Sequence, residues 1–278
     1  MPRRTLIPTI LAALVATGLG IFIGLGVINW FPPQASTQSH NTDRLYYVLI
    51  IASVPIFVLV VTVILYSVWQ FRMRPGQELQ DGAPIHGNTK LEFIWTIVPA
   101  ILILGMVSYS FVVLHENEKK PPGPELQVGV IGQQFYWRFT YPPAKPGGRP
   151  VTTTVLYLPD NQSVRFNMIS MDVIHAFWIP AFRLQEDVVP GITTHYRATP
   201  DRLGRYPIVC NLLCGLGHSL MRANLIVVPP AQFNSWLAKQ QALAATGGTA
   251  TASVSSPTVA SASSGHSNVT SFVAGGGG

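Results

Sequence analysis

Three long apolar stretches, Leu6 to Trp30, Leu45 to Phe71 and Phe93 to Leu114, dominate the N-terminal part of the chain, and none carries an internal charge. Each meets or exceeds the ~20 residues a helix needs to cross a bilayer, so each predicts a membrane-spanning helix. Arg and Lys accumulate on the cytoplasmic side of short loops. Arg3 and Arg4 therefore place the N-terminus inside, and Arg72, Arg74 and Lys90 place the loop after the second stretch inside as well. Phe31 to Asp43 and everything beyond about Leu114 are then expected outside. The first stretch reads either as a signal peptide or as a retained helix. Its length and the lack of a convincing Ala-x-Ala site favour retention.

Beyond Pro121-Pro122-Gly123-Pro124 the pattern changes to short β-rich runs separated by turns: Leu126 to Gly132, Gln134 to Tyr141, Val151 to Leu158, Ser163 to Ser170, Ile192 to Thr199, Gly204 to Val209 and Ala223 to Val228. That rhythm predicts an all-β sandwich or barrel, with function carried by loops at one end. Pro230 to Ala245 has helical spacing, with Phe233, Trp236, Leu237 and Leu243 apolar. From Thr246 to Gly278 the chain is mostly Ser, Thr, Ala and Gly, too polar and too small in its side chains to build a core, and is expected to be disordered. The expected organisation is a hydrophobic segment and external loop (1–44), a helical hairpin (45–120), a β-domain (121–229), a helix (230–245) and a tail (246–278).

Composition agrees with a membrane protein, since charged residues are 11% and hydrophobic residues 48% of the chain. The net charge of +6 raises nucleic-acid binding, but the basic residues are dispersed and no recognition motif accompanies them, so no nucleic-acid partner is expected.

The chemistry is concentrated in one run, Cys210-Asn211-Leu212-Leu213-Cys214-Gly215-Leu216-Gly217-His218-Ser219-Leu220-Met221, which holds both cysteines of the chain. Thiolate, thioether and imidazole are the donors that favour copper over hard ions. A second imidazole, His175, lies upstream in Asp172-Val173-Ile174-His175-Ala176-Phe177-Trp178-Ile179-Pro180. The bland reading is a disulfide between Cys210 and Cys214, which an extracytoplasmic setting allows. It leaves His218 and Met221 unexplained. A mononuclear blue-copper site would leave one thiolate surplus. Two thiolates bridging two copper ions, with one His on each and Met as a weak outer ligand, would use every soft donor.

From about Leu45 to Val228 the chain resembles subunit II of the haem-copper cytochrome c oxidases. The resemblance is carried by Glu92-Phe93-Ile94-Trp95-Thr96-Ile97-Val98-Pro99, Asp172 to Pro180, Phe182-Arg183, Asp187-Val188-Val189-Pro190-Gly191, and Tyr206-Pro207 leading into the Cys loop. It implies a cupredoxin sandwich outside a two-helix membrane hairpin. It also implies a dinuclear copper A centre on His175, Cys210, Cys214, His218 and Met221, with the backbone carbonyl of Leu212 completing the set. In that family electrons from cytochrome c enter at this centre and pass to haem in subunit I, where oxygen is reduced to water. The implied partners are the haem-bearing subunit I and other oxidase subunits, cytochrome c and the lipid bilayer. The implied location is the cell membrane, a bacterial plasma membrane, with the copper domain on its outer side.

Two positions depart from the family pattern. Leu212 stands where the family usually has a Glu that also helps hold magnesium. A carbonyl survives this change and a carboxylate does not, which keeps copper and leaves the magnesium ligand in doubt. In Gln133-Gln134-Phe135-Tyr136-Trp137, Phe135 occupies the position of a family Trp through which electrons enter. Phe135, Tyr136 and Trp137 are therefore the candidates for that role, with core packing as the bland reading. Glu92 aligns with a family Glu at the mouth of a proton path, and is equally an ordinary interfacial acid at a helix start. His195, His115 and His86 match no ligand pattern.

In the β-domain Arg138, Lys145, Arg149, Arg165, Arg183, Arg197, Arg202, Arg205 and Arg222 outnumber Asp160, Asp172, Glu186, Asp187 and Asp201. Asp172, Glu186 and Asp187 are the candidates for a small acidic docking patch. The expected donor is a neutral or acidic cytochrome c, a membrane-tethered one included. Two alternatives stand beside the electron-transfer reading. One is the homologous subunit of a quinol oxidase, in which the copper ligands are normally lost. The other is a membrane-anchored copper-binding or copper-delivery protein.

Overall fold

The computed structural model describes residues 3–73, 75–76, 84 and 86–246. Arg74 and the low-complexity tail from 247 onward, on which sequence expectations also fall, lie outside the described residues. Three long helices come first: α1 (Arg3–Phe22, continued by a π-helical turn Ile23–Val27), α2 (Thr37–Phe71) and α3 (Thr89–Glu118). All three are long and apolar enough to cross a membrane. Helix α1 lies against α2 where the backbone is bare. A Cβ on Gly20 would stand 2.9 Å from Val54 Cγ1 and one on Gly24 3.3 Å from Ile50 Cγ2. Small residues four apart let two membrane helices approach this closely. Trp30 then folds back, donating from Nε1 to the Gly24 carbonyl at 2.7 Å and packing edge-on against Tyr46.

Helix α2 begins eight residues before the apolar stretch that announces it. Its first turns are polar (Thr37-Gln38-Ser39-His40), and Ser36 caps them by accepting from the Ser39 N–H at 3.2 Å. Hydropathy marks where a helix enters lipid, whereas a capping side chain marks where it starts. This polar turn is the seam between membrane and β-domain.

The β-domain is a sandwich of two five-stranded sheets, β3-β2-β1-β5-β8 and β4-β10-β9-β6-β7. The strands are β1 (Leu126–Gln133), β2 (Tyr136–Tyr141), β3 (Val151–Thr153), β4 (Val155–Pro159), β5 (Val164–Ser170), β6 (His175–Ile179), β7 (Leu184–Val188), β8 (Thr194–Ala198), β9 (Gly204–Cys210) and β10 (Arg222–Val228). Alternating burial along β1 and β5 sends Val128, Val130, Phe166 and Met168 inward. They meet Phe177, Ile179, Leu184, Ile208 and Leu225 of the facing sheet in one core.

Two features depart from the sequence expectation. The single strand expected from Val151 to Leu158 is two, β3 and β4, belonging to opposite sheets. The chain crosses between layers at Thr154, beside a local bond in which Thr153 Oγ1 accepts from the Val155 N–H at 3.1 Å. Hydroxyl-to-backbone bonds of this kind compete with the strand ladder. Strands β6 and β7 were not expected. Asp172 to Pro180 is apolar without alternation because β6 is buried almost throughout, and Gln185-Glu186-Asp187 reads as a polar loop.

Helix α4 (Pro230–Ala245) closes the far end. Phe233 is buried and Trp236 stacks on Tyr157 at 4.4 Å, so the helix belongs to the domain core. Phe233→Ala is expected to cost the folded chain about 3–5 kcal/mol. Leu243→Ala, at an exposed position of the same helix, is expected to stay within about 0.5 kcal/mol. Denaturant melts of the two variants check this.

Candidate metal centre

The candidate site is assembled from three segments at one end of the sandwich. His175 opens β6 with its side chain fully buried. Cys210 closes β9, paired across the ladder with Phe177 of β6. The segment from Asn211 to Met221 forms a loop whose base is tied twice: Asn211 N–H donates to the Ala176 carbonyl at 3.0 Å and Cys210 N–H to the Met221 carbonyl at 3.1 Å. Glycine is required inside it. Gly215 has φ +135°, and a Cβ on Gly217 would meet the Phe135 ring at 2.5 Å.

These ties bring the soft donors into a chain of near contacts. His175 Nδ1 is 3.9 Å from Cys210 Sγ, Cys210 Sγ is 3.9 Å from Cys214 Sγ, and Cys214 Sγ is 3.7 Å from His218 Nδ1. Met221 Sδ lies 3.8 Å from Cys214 Sγ. The carbonyl oxygen of Leu212 points inward, 3.2 Å from Cys210 Sγ, while its side chain is exposed. Both cysteines are free. A disulfide needs the sulfurs at ~2.0 Å, so at 3.9 Å both thiols are available as donors in this structure. His175, Cys210 and Cys214 offer ligand atoms that all lie within 4.8 Å of one another.

Sequence reasoning missed how His175 is oriented. Its Nε2 lies 2.8 Å from Asp172 Oδ1, which leaves Nδ1 turned toward the sulfurs. Asp172 is itself held by the N–H groups of Gln134 and Val173, both at 2.7 Å. Burial pushes the Asp172 carboxyl up, but the Gln134 N–H, the His175 ring and the Val173 N–H together outweigh it and hold the group below its usual range. The signal in the sequence was the acid three residues before the histidine. A carboxylate on the distal nitrogen fixes the tautomer of a ligating imidazole and strengthens it as a donor. Gln134 also clasps the loop, donating from Nε2 to the Cys214 carbonyl at 2.6 Å.

The remaining candidates separate. Trp137 is 1% exposed, its ring edge-on to His175 and Phe177, so it is an interior residue. Phe135 and Tyr136 are 36% and 40% exposed, and Phe135 presses on the Cys loop. Glu186 and Asp187 are neighbours on β7 and so point to opposite faces. Burial, then Asp187 and Glu118, raise the Glu186 carboxyl above its usual range. With Asp172 committed to His175, the three acids do not share one surface. Glu92 sits in the first turn of α3, where its carboxylate accepts from the Asn88 N–H at 3.2 Å. Among the other histidines, His195 lies 2.9 Å from Asn167 Oδ1 on the outer face of the sheet, away from the donor cluster.

Fold and site together define a membrane-anchored β-sandwich of the cupredoxin type with a soft-donor cluster at one end. Comparison with known proteins gives the family. Residues 23–113 match the sequence model for the cytochrome c oxidase subunit II transmembrane domain, and residues 150–228 match that for its periplasmic domain. Cytochrome c oxidase subunit 2 of Thermostichus vulcanus is 30% identical over 85% of this chain and 86% of its own length. Its counterpart in Cereibacter sphaeroides is 30% identical over 74% and 78%. The solved periplasmic domain of subunit II from Bradyrhizobium japonicum is 27% identical, covering 44% of this chain and 96% of that one, with a TM-score of 0.40. The chain belongs to the cytochrome c oxidase subunit II family. It is a membrane protein with an extracytoplasmic domain and a subunit of an oxidoreductase complex. The family implies copper binding, and the donor set fits it.

Two measurements test the site. Asp172→Asn keeps every donor atom, yet it is expected to weaken copper retention ~10–100-fold in competition with a chelator, because the imidazole loses its anionic partner. Burial, reinforced by the neighbouring Cys210, raises the Cys214 thiol from 9.0 to about 11. A group whose folded pKa lies above its unfolded value contributes stability that is present below the unfolded pKa and lost as pH rises toward the folded one. The reduced, metal-free chain is therefore expected to lose stability from about pH 9 to about pH 11. Cys214→Ser should remove that slope from a series of melts.

Proposed function

We propose that this subunit accepts electrons from a cytochrome c at a dinuclear copper centre held by His175, Cys210, Cys214, His218, Met221 and the carbonyl of Leu212, and passes them to haem in the partner subunit. The observation that carries this reading is the order of the donors: imidazole, sulfur, sulfur, imidazole, with unbonded sulfurs 3.9 Å apart. His175, Cys210, Cys214, His218 and Met221 would hold such a copper pair, which would supply a one-electron centre that changes oxidation state with little rearrangement.

The chain supplies the rest of that economy. Strands β6 and β9 fix His175 and Cys210 on adjacent backbone, the Cys loop is tied at its base, and Asp172 holds the His175 ring from behind. Burial of His175, Cys210, Cys214 and Met221 keeps water from reorganising around them. Donors on rigid, supported elements need not move when charge arrives. Phe135, exposed and seated on Gly217, is our choice for the edge at which electrons arrive, since Trp137 is sealed in the core. The donor is a cytochrome c of neutral or acidic surface, because the domain offers it no shared acidic face. The three helices lie in the cell membrane, and Glu92 is proposed at the mouth of a proton path. No magnesium ligand is carried over at Leu212, whose side chain has no oxygen to offer.

The presence of every soft donor disfavours the quinol oxidase reading. Membership of the oxidase family disfavours a copper carrier.

The copper content of the purified full-length chain tests the proposal. Two coppers per chain with a multi-line, mixed-valence hyperfine pattern are expected. One copper, or none, overturns it. Leu212→Ala should keep both metals and the same spectrum, because the carbonyl and not the side chain faces Cys210. Loss of copper in that variant would show that the Leu212 side chain, and not its carbonyl alone, is needed to hold the site.

A further inference from the structure

Away from the donor cluster, a buried charged contact joins the membrane hairpin to the sandwich. Asp43, near the N-terminal end of α2, and Arg183, just beyond β6, are both buried, with side chains 5% and 6% exposed. The pairing is bidentate: Arg183 Nε donates to Asp43 Oδ1 at 2.7 Å and Nη2 to Oδ2 at 2.8 Å. Nη1 also donates to the Pro180 carbonyl at 2.8 Å and Nη2 to the Pro32 carbonyl at 3.0 Å. Gln34 Nε2 donates to Asp43 Oδ2 at 2.6 Å, and the guanidinium lies 4.6 Å from the centre of the Phe31 ring. Arg183 itself holds φ +55°.

Stability alone does not explain this arrangement, because a buried ion pair repays little more than its desolvation and an apolar pair of similar size often does better. What the pair supplies is direction. A planar fork meeting a carboxylate in two bonds fixes angle as well as distance, which an apolar contact or a lysine does not. The place where direction is fixed matters. Strand β6 runs from His175 to Ile179, and the 3-10 turn Pro180–Phe182 leads straight to Arg183. One end of this strut carries a donor of the metal centre and the other is bolted to α2. The other ion pair between α2 and the sandwich among the described residues, His40 with Asp201, is exposed and weak by comparison.

We propose that Arg183 and Asp43 are positioning residues: a directional clamp that sets the attitude of the sandwich on the membrane hairpin, and so the separation between its metal centre and the acceptor in the partner subunit. Electron tunnelling falls steeply with separation, so a sandwich that rocks on its hairpin transfers more slowly even when its metal centre is intact. The rate part rests on the electron-transfer reading, whereas the geometric part does not.

The test uses the assembled oxidase with spin labels placed through unnatural amino acids at Thr152, exposed on β3, and Gln70, exposed at the cytoplasmic end of α2. Two variants are compared with the parent: Asp43→Leu with Arg183→Met together, which removes both charges and spares the fold an unpaired one, and Arg183→Lys, which keeps the charge and loses the fork. Both are expected to keep the copper content and copper spectrum of the parent and a melting temperature no lower in the double variant. Both are expected to broaden the distance distribution between the labels and to slow single-turnover copper-to-haem transfer several-fold. A distance distribution as narrow as the parent's in either variant overturns the clamp, whatever the rate. If the parent chain holds no copper, the electron-transfer reading fails while the distance measurement still decides the clamp.

Discussion

Burial of His175 with only one nitrogen left free is the constraint on which the rest of the structure hangs. A neutral imidazole has one donor and one acceptor nitrogen, and in a dry interior both must be used. Asp172 takes Nε2, so Nδ1 is the nitrogen that faces Cys210. To put a carboxylate there, the turn before β6 must wrap back on itself, and the Gln134, Val173 and Ser170 contacts that accomplish this draw in the β1–β2 connection. Gly132 is part of the same requirement, since a Cβ there would stand 3.0 Å from the His175 ring and 3.1 Å from Trp137. Trp137 meets the ring edge-on, and Phe177, itself packed against Trp137, Phe139 and Phe166, continues the aromatic cluster into the core.

The loop that carries the sulfurs solves a different problem. Two thiols in an oxidising compartment tend toward a disulfide, which would consume the donors. Here both thiols are free with their sulfurs 3.9 Å apart, and the backbone bonds at Asn211 and Met221 and the Gln134 amide on the Cys214 carbonyl fix the shape of the loop that carries them. The Phe135 ring fills the space that Gly215 and Gly217 leave open, so the loop is braced from outside as well as from its base.

Between this end and the membrane, the sandwich is not simply tethered by a linker. The segment before α2 is built into it: Ala35 is fully buried in the core, its N–H donates to the Ala181 carbonyl at 3.0 Å, and Thr37 N–H donates to the Thr199 carbonyl at 3.1 Å. The end of α3 joins the same seam through Asn117, paired with Asn41 at 3.0 Å, and through Glu118, whose carbonyl accepts from Arg197 at 3.0 Å. The hairpin and the β-domain therefore meet on both helices.

Much of this was legible in the residues themselves. Uninterrupted apolar length announces a membrane helix because lipid leaves the backbone no alternative, and the packing of two cysteines, His218 and Met221 into one loop announces soft-metal chemistry because few other uses need all of them. Strand alternation gave β1, β2, β5, β8, β9 and β10 to within a few residues. What could not be read locally was set by contacts between distant parts of the chain. β6 is buried on both faces, so its alternation is erased, and β7 is a polar edge strand that exists because it pairs with β6. The break between β3 and β4 follows from which sheet each half joins. Asp172 looked like a free surface acid until the fold placed it behind His175, and Asp43 and Arg183 carry no signal of each other across the 140 positions that separate them. Composition and periodicity determine which surfaces a segment must hide; only the tertiary structure decides what they are hidden against, because pairing partners are chosen by geometry rather than by sequence neighbours.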